Sequence, residues 1–273
     1  MVIDGVRVHG DSGPPVLLLP GGAEGCEGFF PGLVEGLVAD PGCRVVVHDR
    51  PGTGQAPAAG GLAAASAHLA GLITRLDLGP VVVVGQSLGG AVATLLARDH
   101  PRLVAGLVLL DPTLINDARS CAQLERTMHW MGKLADRPLG RRVVEAMIKV
   151  PAAREARRLD LRPDCAAAHN RILDMDVKQL TEAVRGLGEL SAGLREEDLP
   201  TLPSAVATAD RKPGTAAGIA HARLAIALGA KLVRWPGSTH SLHLDHPDET
   251  LALVREVVAK ASATASPRER DGE

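Results

Sequence analysis

The sequence VVVVGQSLGG, residues 81–90, predicts a buried strand that turns sharply into a helix. An unbroken run of four valines, preceded by Pro80, is typical of a strand that is covered on both faces of a parallel sheet. The Ala- and Leu-rich segment that follows has the composition of a helix. Gly85 and Gly89 lack the β-carbons that would collide in so tight a turn, so Ser87 can adopt a strained backbone with its hydroxyl exposed above the sheet.

G-x-S-x-G between a strand and a helix is the pattern of a nucleophile elbow. A glycine-rich turn that merely closes a parallel strand is the structural alternative. A phosphate-binding loop is disfavoured, because no Gly-Lys-Ser/Thr follows. The sequence therefore favours Ser87 as a nucleophile.

The rest of the chain alternates short apolar runs with segments of helical spacing. The predicted strands are Val6–His9, Val16–Leu19, Cys43–His48, Val104–Leu110, Leu202–Ala207 and Ala230–Trp235. The predicted helices outside residues 113–199 are Phe29–Ala39, Leu62–Leu76, Ala216–Leu228 and Asp248–Lys260. This alternation predicts an α/β fold, a mostly parallel central sheet with helices on both faces.

From about Val6 to about Lys260 the chain resembles the α/β-hydrolase superfamily. Besides GQSLGG, the resemblance lies in LLLPGG (17–22), VVVHDRPGTG (45–54) and PGSTHSLHLDHPDE (236–249). It implies a hydrolase core formed by residues 1–112 and 200–263, with a helical cap, residues 113–199, inserted before the penultimate strand. Breaks in the cap helices are predicted at Pro138, Pro151 and Pro163, and residues 264–273 are expected to be a disordered tail.

Composition limits the partners that the chain is expected to bind. The 273 residues include 45% hydrophobic residues and carry a net charge of −2, so the overall charge predicts neither nucleic acid nor a membrane as partner. Small molecules are the expected partners, and the oligomeric state is left open. Without a membrane span or a signal sequence, a cytoplasmic protein is expected. Two Phe, two Trp and no Tyr imply a mainly aliphatic pocket.

His240 is the candidate general base. The resemblance places a histidine after the last strand and before a proline that leads into the final helix, and Pro247 keeps that spacing. An imidazole with a pKa near neutrality can take the serine proton and return it to the leaving group. His243 and His246 are competitors, and a metal site built from the three histidines is the alternative that their loop spacing disfavours. Neither a metal nor an organic cofactor is expected.

The acid that would orient His240 has two candidates in the sequence. Asp111 stands directly after the strand that precedes the cap, and Asp210 follows the next strand, two residues before the position at which the resemblance places Lys212. A serine–histidine dyad without an acid stays open. The sequence tilts towards Asp111, because Arg211 and Lys212 are expected to give Asp210 a solvated ion-pair role.

Backbone N–H groups are the candidate oxyanion donors. By position they are Gly22 and Leu88, with Ala23 as an alternative to Gly22. Pro20 stands where the superfamily usually has histidine, and a simple turn is the structural alternative.

The resemblance implies a serine hydrolase that cleaves an ester-like bond of a small, mainly aliphatic substrate through an acyl-enzyme. Cleavage of a thioester, a lactone or a carbon–carbon bond by the same chemistry stays open, and there are two alternative functions. One is a thioesterase for a carrier-bound acyl group, suggested by the basic first half of the cap. The other is a non-hydrolytic ligand-binding or cyclase member of the same fold.

Overall fold

The computed structural model describes residues 5–51, 53–54, 56, 61–156 and 158–265. Seven strands form a single sheet. They are β1 (Val6–His9), β2 (Pro15–Leu19), β3 (Arg44–His48), β4 (Val81–Gln86), β5 (Val104–Leu110), β6 (Ser204–Thr208) and β7 (Lys231–Arg234). The predicted strands are confirmed, each to within two residues at either end.

The strand order is β1-β3-β2-β4-β5-β6-β7, and all neighbouring strands run parallel except β1, which pairs antiparallel with β3. β4 lies at the centre with every residue buried. Since parallel strands end at the same edge of the sheet, the segments that leave β4, β5 and β6 lie beside one another.

Eleven α-helices accompany the sheet in the described part of the chain. They are α1 (Leu33–Ala39), α2 (Ala65–Arg75), α3 (Leu88–Asp99), α4 (Ala118–Ala135), α5 (Pro138–Ala156), α6 (Pro163–Leu173), α7 (Val177–Ala183), α8 (Leu187–Ala192), α9 (Ala216–Leu228), α10 (Leu242–Asp245) and α11 (Pro247–Ala265). Apolar residues of α2, α3 and α9 pack in one core cluster, and those of α1 and α11 pack in a second. The two clusters cover opposite faces of the sheet, as the sequence predicts for an α/β fold. Within the described residues, no helix combines the length and the apolar character needed to cross a membrane.

Helices α4 to α8 form one insertion between β5 and β6, which is the position predicted for the cap. Pro138 and Pro163 begin α5 and α6, where the missing N–H of proline costs no helical hydrogen bond. The break predicted at Pro151 is wrong, because α5 continues through this residue to Ala156. Pro151 lies near the end of α5, where it removes one bond without ending the helix.

Two other helix ends differ from the sequence prediction. α1 begins at Leu33 rather than Phe29, because Gly32 has a left-handed backbone (φ 72°) that cannot belong to the helix. α11 continues to Ala265, past the predicted end of the core at 263. The remainder of the predicted disordered tail, residues 266–273, lies outside the described residues.

Candidate active site

Ser87 sits at the sharp turn between β4 and α3 with a strained backbone (φ 49°, ψ −117°). A β-carbon at Gly85 would lie 2.5 Å from the carbonyl oxygen of Gly89, and one at Gly89 would lie 2.2 Å from that of Leu19. Both distances are too short for any side chain. The two glycines of the motif are therefore required by the turn, which places the serine hydroxyl at the end of the central strand.

Ser87, His240 and Asp111 form a continuous chain of hydrogen bonds. His240 Nε2 lies 2.9 Å from the Ser87 hydroxyl oxygen, and Nδ1 lies 2.6 Å from Asp111 Oδ2. Because a carboxylate only accepts, Nδ1 carries the hydrogen and Nε2 is left to accept the serine proton. The Gln86 side chain donates to the His240 backbone carbonyl at 2.9 Å and so ties the histidine loop to the elbow.

Asp111 is 1% exposed and follows β5 in a left-handed backbone conformation (φ 41°). Its Oδ1 accepts from the Ala209 N–H at 3.0 Å and from Arg211 Nε at 3.1 Å, while Arg211 Nη2 donates to Oδ2. Burial alone would raise the pKa of Asp111, but the hydrogen bonds from His240 and Arg211 outweigh it and hold that pKa well below its usual value. The carboxylate is therefore ionised at neutral pH.

His221 is a second buried imidazole beside Asp111, at 3.7 Å from Oδ1. Its Nε2 lies 2.8 Å from the Pro112 carbonyl, so Nε2 carries the hydrogen and Nδ1 accepts from the Thr208 hydroxyl at 2.8 Å. Burial lowers the pKa of His221. It is thus a neutral side chain that fills the space behind the carboxylate.

Asp210, the other candidate acid, is exposed and engaged elsewhere. Its Oδ2 accepts from the Gly237 N–H at 2.9 Å, and its own N–H donates to the Ser238 carbonyl at 3.0 Å. These bonds fasten the β6 loop to the loop that carries His240. Arg211, expected from the sequence to pair with Asp210, pairs with Asp111 instead. Asp210 is exposed to solvent, whereas Asp111 is buried. Because water screens the charge of Asp111 less, that carboxylate attracts the guanidinium more strongly.

Gly22 and Leu88, the candidate oxyanion donors, line the same cavity as Ser87. Leu88 begins α3, so its N–H has no partner within the helix. Gly22 has a φ of 54°, and a β-carbon there would lie 2.6 Å from the Met175 methyl carbon. The Ala23 N–H, the alternative donor, points at Met175 Sδ at 3.3 Å. Gly22 and Leu88 therefore suit the role better than Ala23.

Arg50 binds the backbone of the loop that carries Gly22. Its side chain is 3% exposed, and Nη2 donates to the carbonyl oxygens of Gly22 at 2.7 Å and Pro20 at 3.4 Å. Burial lowers the pKa of Arg50 to about 10, so the guanidinium keeps its charge at neutral pH. A cation bound to these carbonyls fixes the orientation of the peptide groups in the loop that carries Gly22, a candidate oxyanion donor.

The competing histidines lie away from the serine. His243 is buried and stacks on Phe29, with ring centroids 4.8 Å apart, while the His246 ring lies 5.5 Å from that of Trp235. Across the described ranges, no group of three or more His, Cys, Asp or Glu side chains is arranged to hold a metal ion.

A cavity of about 620 Å³ opens above Ser87. Most of its wall is apolar, and half of the lining residues belong to the insertion. The apolar residues that α4 to α8 and the segments between them contribute are Leu124, Met128, Ile148, Ile172, Leu173, Met175, Val177, Leu180 and Val184. Cys121 also lines the cavity, but burial raises the pKa of its thiol to about 11, so it is not a nucleophile at neutral pH. A cavity with this lining offers mainly apolar surface beside the Ser87 hydroxyl.

Three contacts of the site carried no sequence signal. Arg211 is adjacent to Asp210 rather than to Asp111 in the sequence, Arg50 lies in the segment 45–54, where no site residue is predicted, and Met175 lies in the insertion, where no motif is found. Each becomes visible only when loops distant in the chain are brought together.

The family model described as "Alpha/beta hydrolase family" matches residues 16–253. The chain belongs to this family, and the superfamily resemblance seen in the sequence is confirmed.

Among curated proteins, the chain is 39% identical over 120 residues to Lipase LipV of Mycobacterium tuberculosis, covering 43% of this chain and 45% of the lipase. It is 35% identical over 106 residues to the mouse (Mus musculus) sn-1-specific diacylglycerol lipase ABHD11, covering 38% of this chain and 34% of that protein. The matches thus span less than half the length of these relatives. Among solved structures, MenH from S. aureus superposes with a TM-score of 0.76 at 14% identity, covering 95% of this chain and all of that chain (100%), which supports the fold alone. The chain is therefore similar to known hydrolases.

Proposed function

We propose that this protein is a serine hydrolase that cleaves an ester-like bond of a small, mainly aliphatic substrate through an acyl-enzyme. The observation that carries the proposal is the hydrogen-bonded chain from Ser87 through His240 to the buried, ionised Asp111, at the base of an aliphatic cavity. The arrangement matches the roles of nucleophile, general base and orienting acid.

In the first half of the reaction the Ser87 oxygen attacks the carbonyl carbon while its proton moves to His240 Nε2. Asp111 remains ionised, keeps the hydrogen on Nδ1 and stabilises the imidazolium that forms. The oxyanion is stabilised by the N–H groups of Gly22 and Leu88, the former on the loop that Arg50 braces. Collapse of the tetrahedral intermediate breaks the bond to the leaving group, which takes the proton from His240.

In the second half His240 removes a proton from a water molecule, which attacks the acyl carbon. The resulting intermediate expels the Ser87 oxygen, which regains its proton from His240 as the acid is released. No step requires a metal or an organic cofactor.

Residues 113–199 act as the cap that selects the substrate. The proposal is supported by the apolar wall that α4 to α8 contribute above Ser87. A wall of this kind binds aliphatic chains by burial of apolar surface, at about 25 cal/mol per Å². The names of the two relatives, both lipases, agree with an acyl substrate of this chemistry.

Labelling with a fluorophosphonate probe tests the proposal, because the probe forms a covalent bond only with an activated serine. We expect labelling at Ser87 in the intact protein and none in Ser87→Ala. The same protein should hydrolyse p-nitrophenyl esters and release the acid. Labelling without hydrolysis of either an ester or a matched thioester would favour a non-hydrolytic cyclase. No labelling at all would refute an activated serine, and a clear preference for the thioester would favour the thioesterase.

A further inference from the structure

The outer face of α5 is apolar although it faces solvent. Leu139, Val143, Met147 and Val150 are 75%, 46%, 55% and 45% exposed. Their spacing of four, four and three residues brings all four into an arc of about 80° along one side of the helix. They form a continuous strip, which we call the α5 strip. Large apolar side chains in a contiguous exposed patch mark a surface that binds something.

The opposite face of α5 is also apolar, but it is covered by the protein. Val144 is fully buried, and Ile148 lines the cavity above Ser87. The fold therefore already satisfies the helix on its inner side, and the α5 strip is not needed for packing within the described chain. A helix that is apolar on both sides needs cover for the second one.

Basic side chains accompany the α5 strip. Arg142 and Lys149 directly precede Val143 and Val150, so both lie about 100° from the strip on the same flank. Arg154 is exposed within the arc of the strip itself, whereas Arg141 is exposed on the far side of the helix, about 160° from the centre of the strip. Lys149 is the one of these four cations with an ion pair in the described structure, to Asp174 at 2.9 Å. The overall charge of −2 thus hides a local excess of positive charge on this helix.

We propose that the α5 strip docks on the surface of an anionic lipid bilayer. A strip of aliphatic side chains flanked by arginine and lysine has the chemistry of a helix that lies in a membrane interface, with its apolar side among acyl chains and its cations at the headgroups. In this chain the docked helix is also a wall of the substrate cavity. Docking would bring lipid acyl chains close to the aliphatic cavity. The inference goes beyond the proposed function and does not depend on it.

Sedimentation with lipid vesicles tests the inference directly. We expect the intact protein to bind vesicles of equal parts phosphatidylcholine and phosphatidylglycerol, and to bind pure phosphatidylcholine more weakly. The double variant Val143→Ser/Met147→Ser should lower the affinity for mixed vesicles by about tenfold or more, because it removes apolar surface from the strip. Arg142→Glu/Arg154→Glu should lower the affinity by about fivefold or more, and added salt should mimic that loss in the intact protein.

Ile226→Ser is the matched control. Ile226 is 81% exposed on α9, so its substitution removes an equally accessible apolar side chain from another surface and should leave vesicle binding unchanged. The Val143→Ser/Met147→Ser variant should hydrolyse a soluble p-nitrophenyl ester at the rate of the unaltered protein, since neither residue lines the cavity. Vesicle binding without any hydrolysis would refute the proposed enzyme and leave the docking surface standing.

Three results would overturn the inference. One is no binding of the intact protein to anionic vesicles, and another is equal loss of binding in Ile226→Ser and in the strip variants. The third is a dimer, seen by light scattering, that the strip variants convert to a monomer without any binding to vesicles. In that case the α5 strip binds a second copy of the chain.

Discussion

Replacing Asp111 by asparagine changes one atom and should nearly abolish turnover. Asn tolerates a left-handed backbone, so the φ of 41° at this position gives no reason for misfolding. The difficulty lies in the partners. Oδ2 faces two donors, His240 Nδ1 and Arg211 Nη2, and Oδ1 faces the Ala209 N–H and Arg211 Nε. An amide places its NH2 group against a pair of donors in either orientation.

The amide orientation that keeps the bonds from the Ala209 N–H and Arg211 Nε points NH2 at both His240 Nδ1 and Arg211 Nη2. The imidazole must then present an unprotonated Nδ1, which moves its hydrogen to Nε2, and Nε2 can no longer accept the Ser87 proton. The negative charge that stabilises the imidazolium is lost as well. For the corresponding substitution in a serine protease, kcat falls by about 10⁴. We expect a loss of about 10³ to 10⁴, which corresponds to about 4 to 5.5 kcal/mol of transition-state stabilisation.

The assay compares kcat for a short-chain p-nitrophenyl ester in Asp111→Asn and Asp210→Asn. Asn at 210 retains an oxygen that can accept from the Gly237 N–H, and the side chain is exposed, so its kcat should fall less than about tenfold. Melting curves of both variants check that each is folded. If Asp210→Asn loses 10³ while Asp111→Asn stays within tenfold of the unaltered protein, the carboxylate assignment is refuted.

Four further predictions concern the rest of the site. Ser87→Ala should lower kcat by about 10³ or more, and adding His240→Ala should cost little beyond that, because the two residues act as one unit; full additivity in the kinetics would contradict this. Arg50→Met should lower kcat by about tenfold to a hundredfold with KM nearly unchanged, since the oxyanion loop loses its brace, and a change in KM alone would argue against that role. Arg211→Met should raise the pKa of Asp111 and lower the free energy of unfolding, measured in urea, by about 1 to 2 kcal/mol. The loss of stability is small because the guanidinium is partly solvated, and Arg211→Lys should restore part of that stability. Burial, together with the neighbouring charge of His240, lowers the pKa of His243 to about 3, so between about pH 6.5 and 3 the unfolded chain binds a proton at this residue that the folded chain does not. His243 should therefore contribute a loss of about 1.4 kcal/mol of stability per pH unit on acidification. His243→Leu should remove that contribution from the pH dependence of unfolding, while kcat stays within a few-fold.

The sequence predicted the scaffold well because the scaffold depends on local patterns. The valine run that becomes β4, and the glycines on either side of Ser87, each act within a few residues of their own position. Helix ends were predicted less well where backbone geometry overrides composition. Gly32 delays α1 by four residues, and Pro151 does not interrupt α5.

The surroundings of the site could be predicted only in part, because they are made by contacts between distant segments. Ser87 and His240 could be proposed from their own motifs, and the structure brings them together across 153 positions. The acid stayed open in the sequence, since both Asp111 and Asp210 follow strands that end at the same edge of the sheet. Which one meets the imidazole depends on the direction in which each loop turns, and no residue pattern records that direction.

The position of the acid and the charge of the β6 loop are linked. A carboxylate after β5 and a second one aimed from the β6 loop would face each other in a buried space, and one of them would have to take up a proton. The chain has Arg211 there instead, and the guanidinium holds Asp111 ionised and oriented. With the acid on β5, the β6 loop supplies a donor, while Asp210 turns outward to fasten the loop of His240. Around Lys212, where the chain departs from the family pattern, the loop after β6 therefore offers Asp111 the Arg211 guanidinium, while its own carboxylate, Asp210, binds the Gly237 N–H.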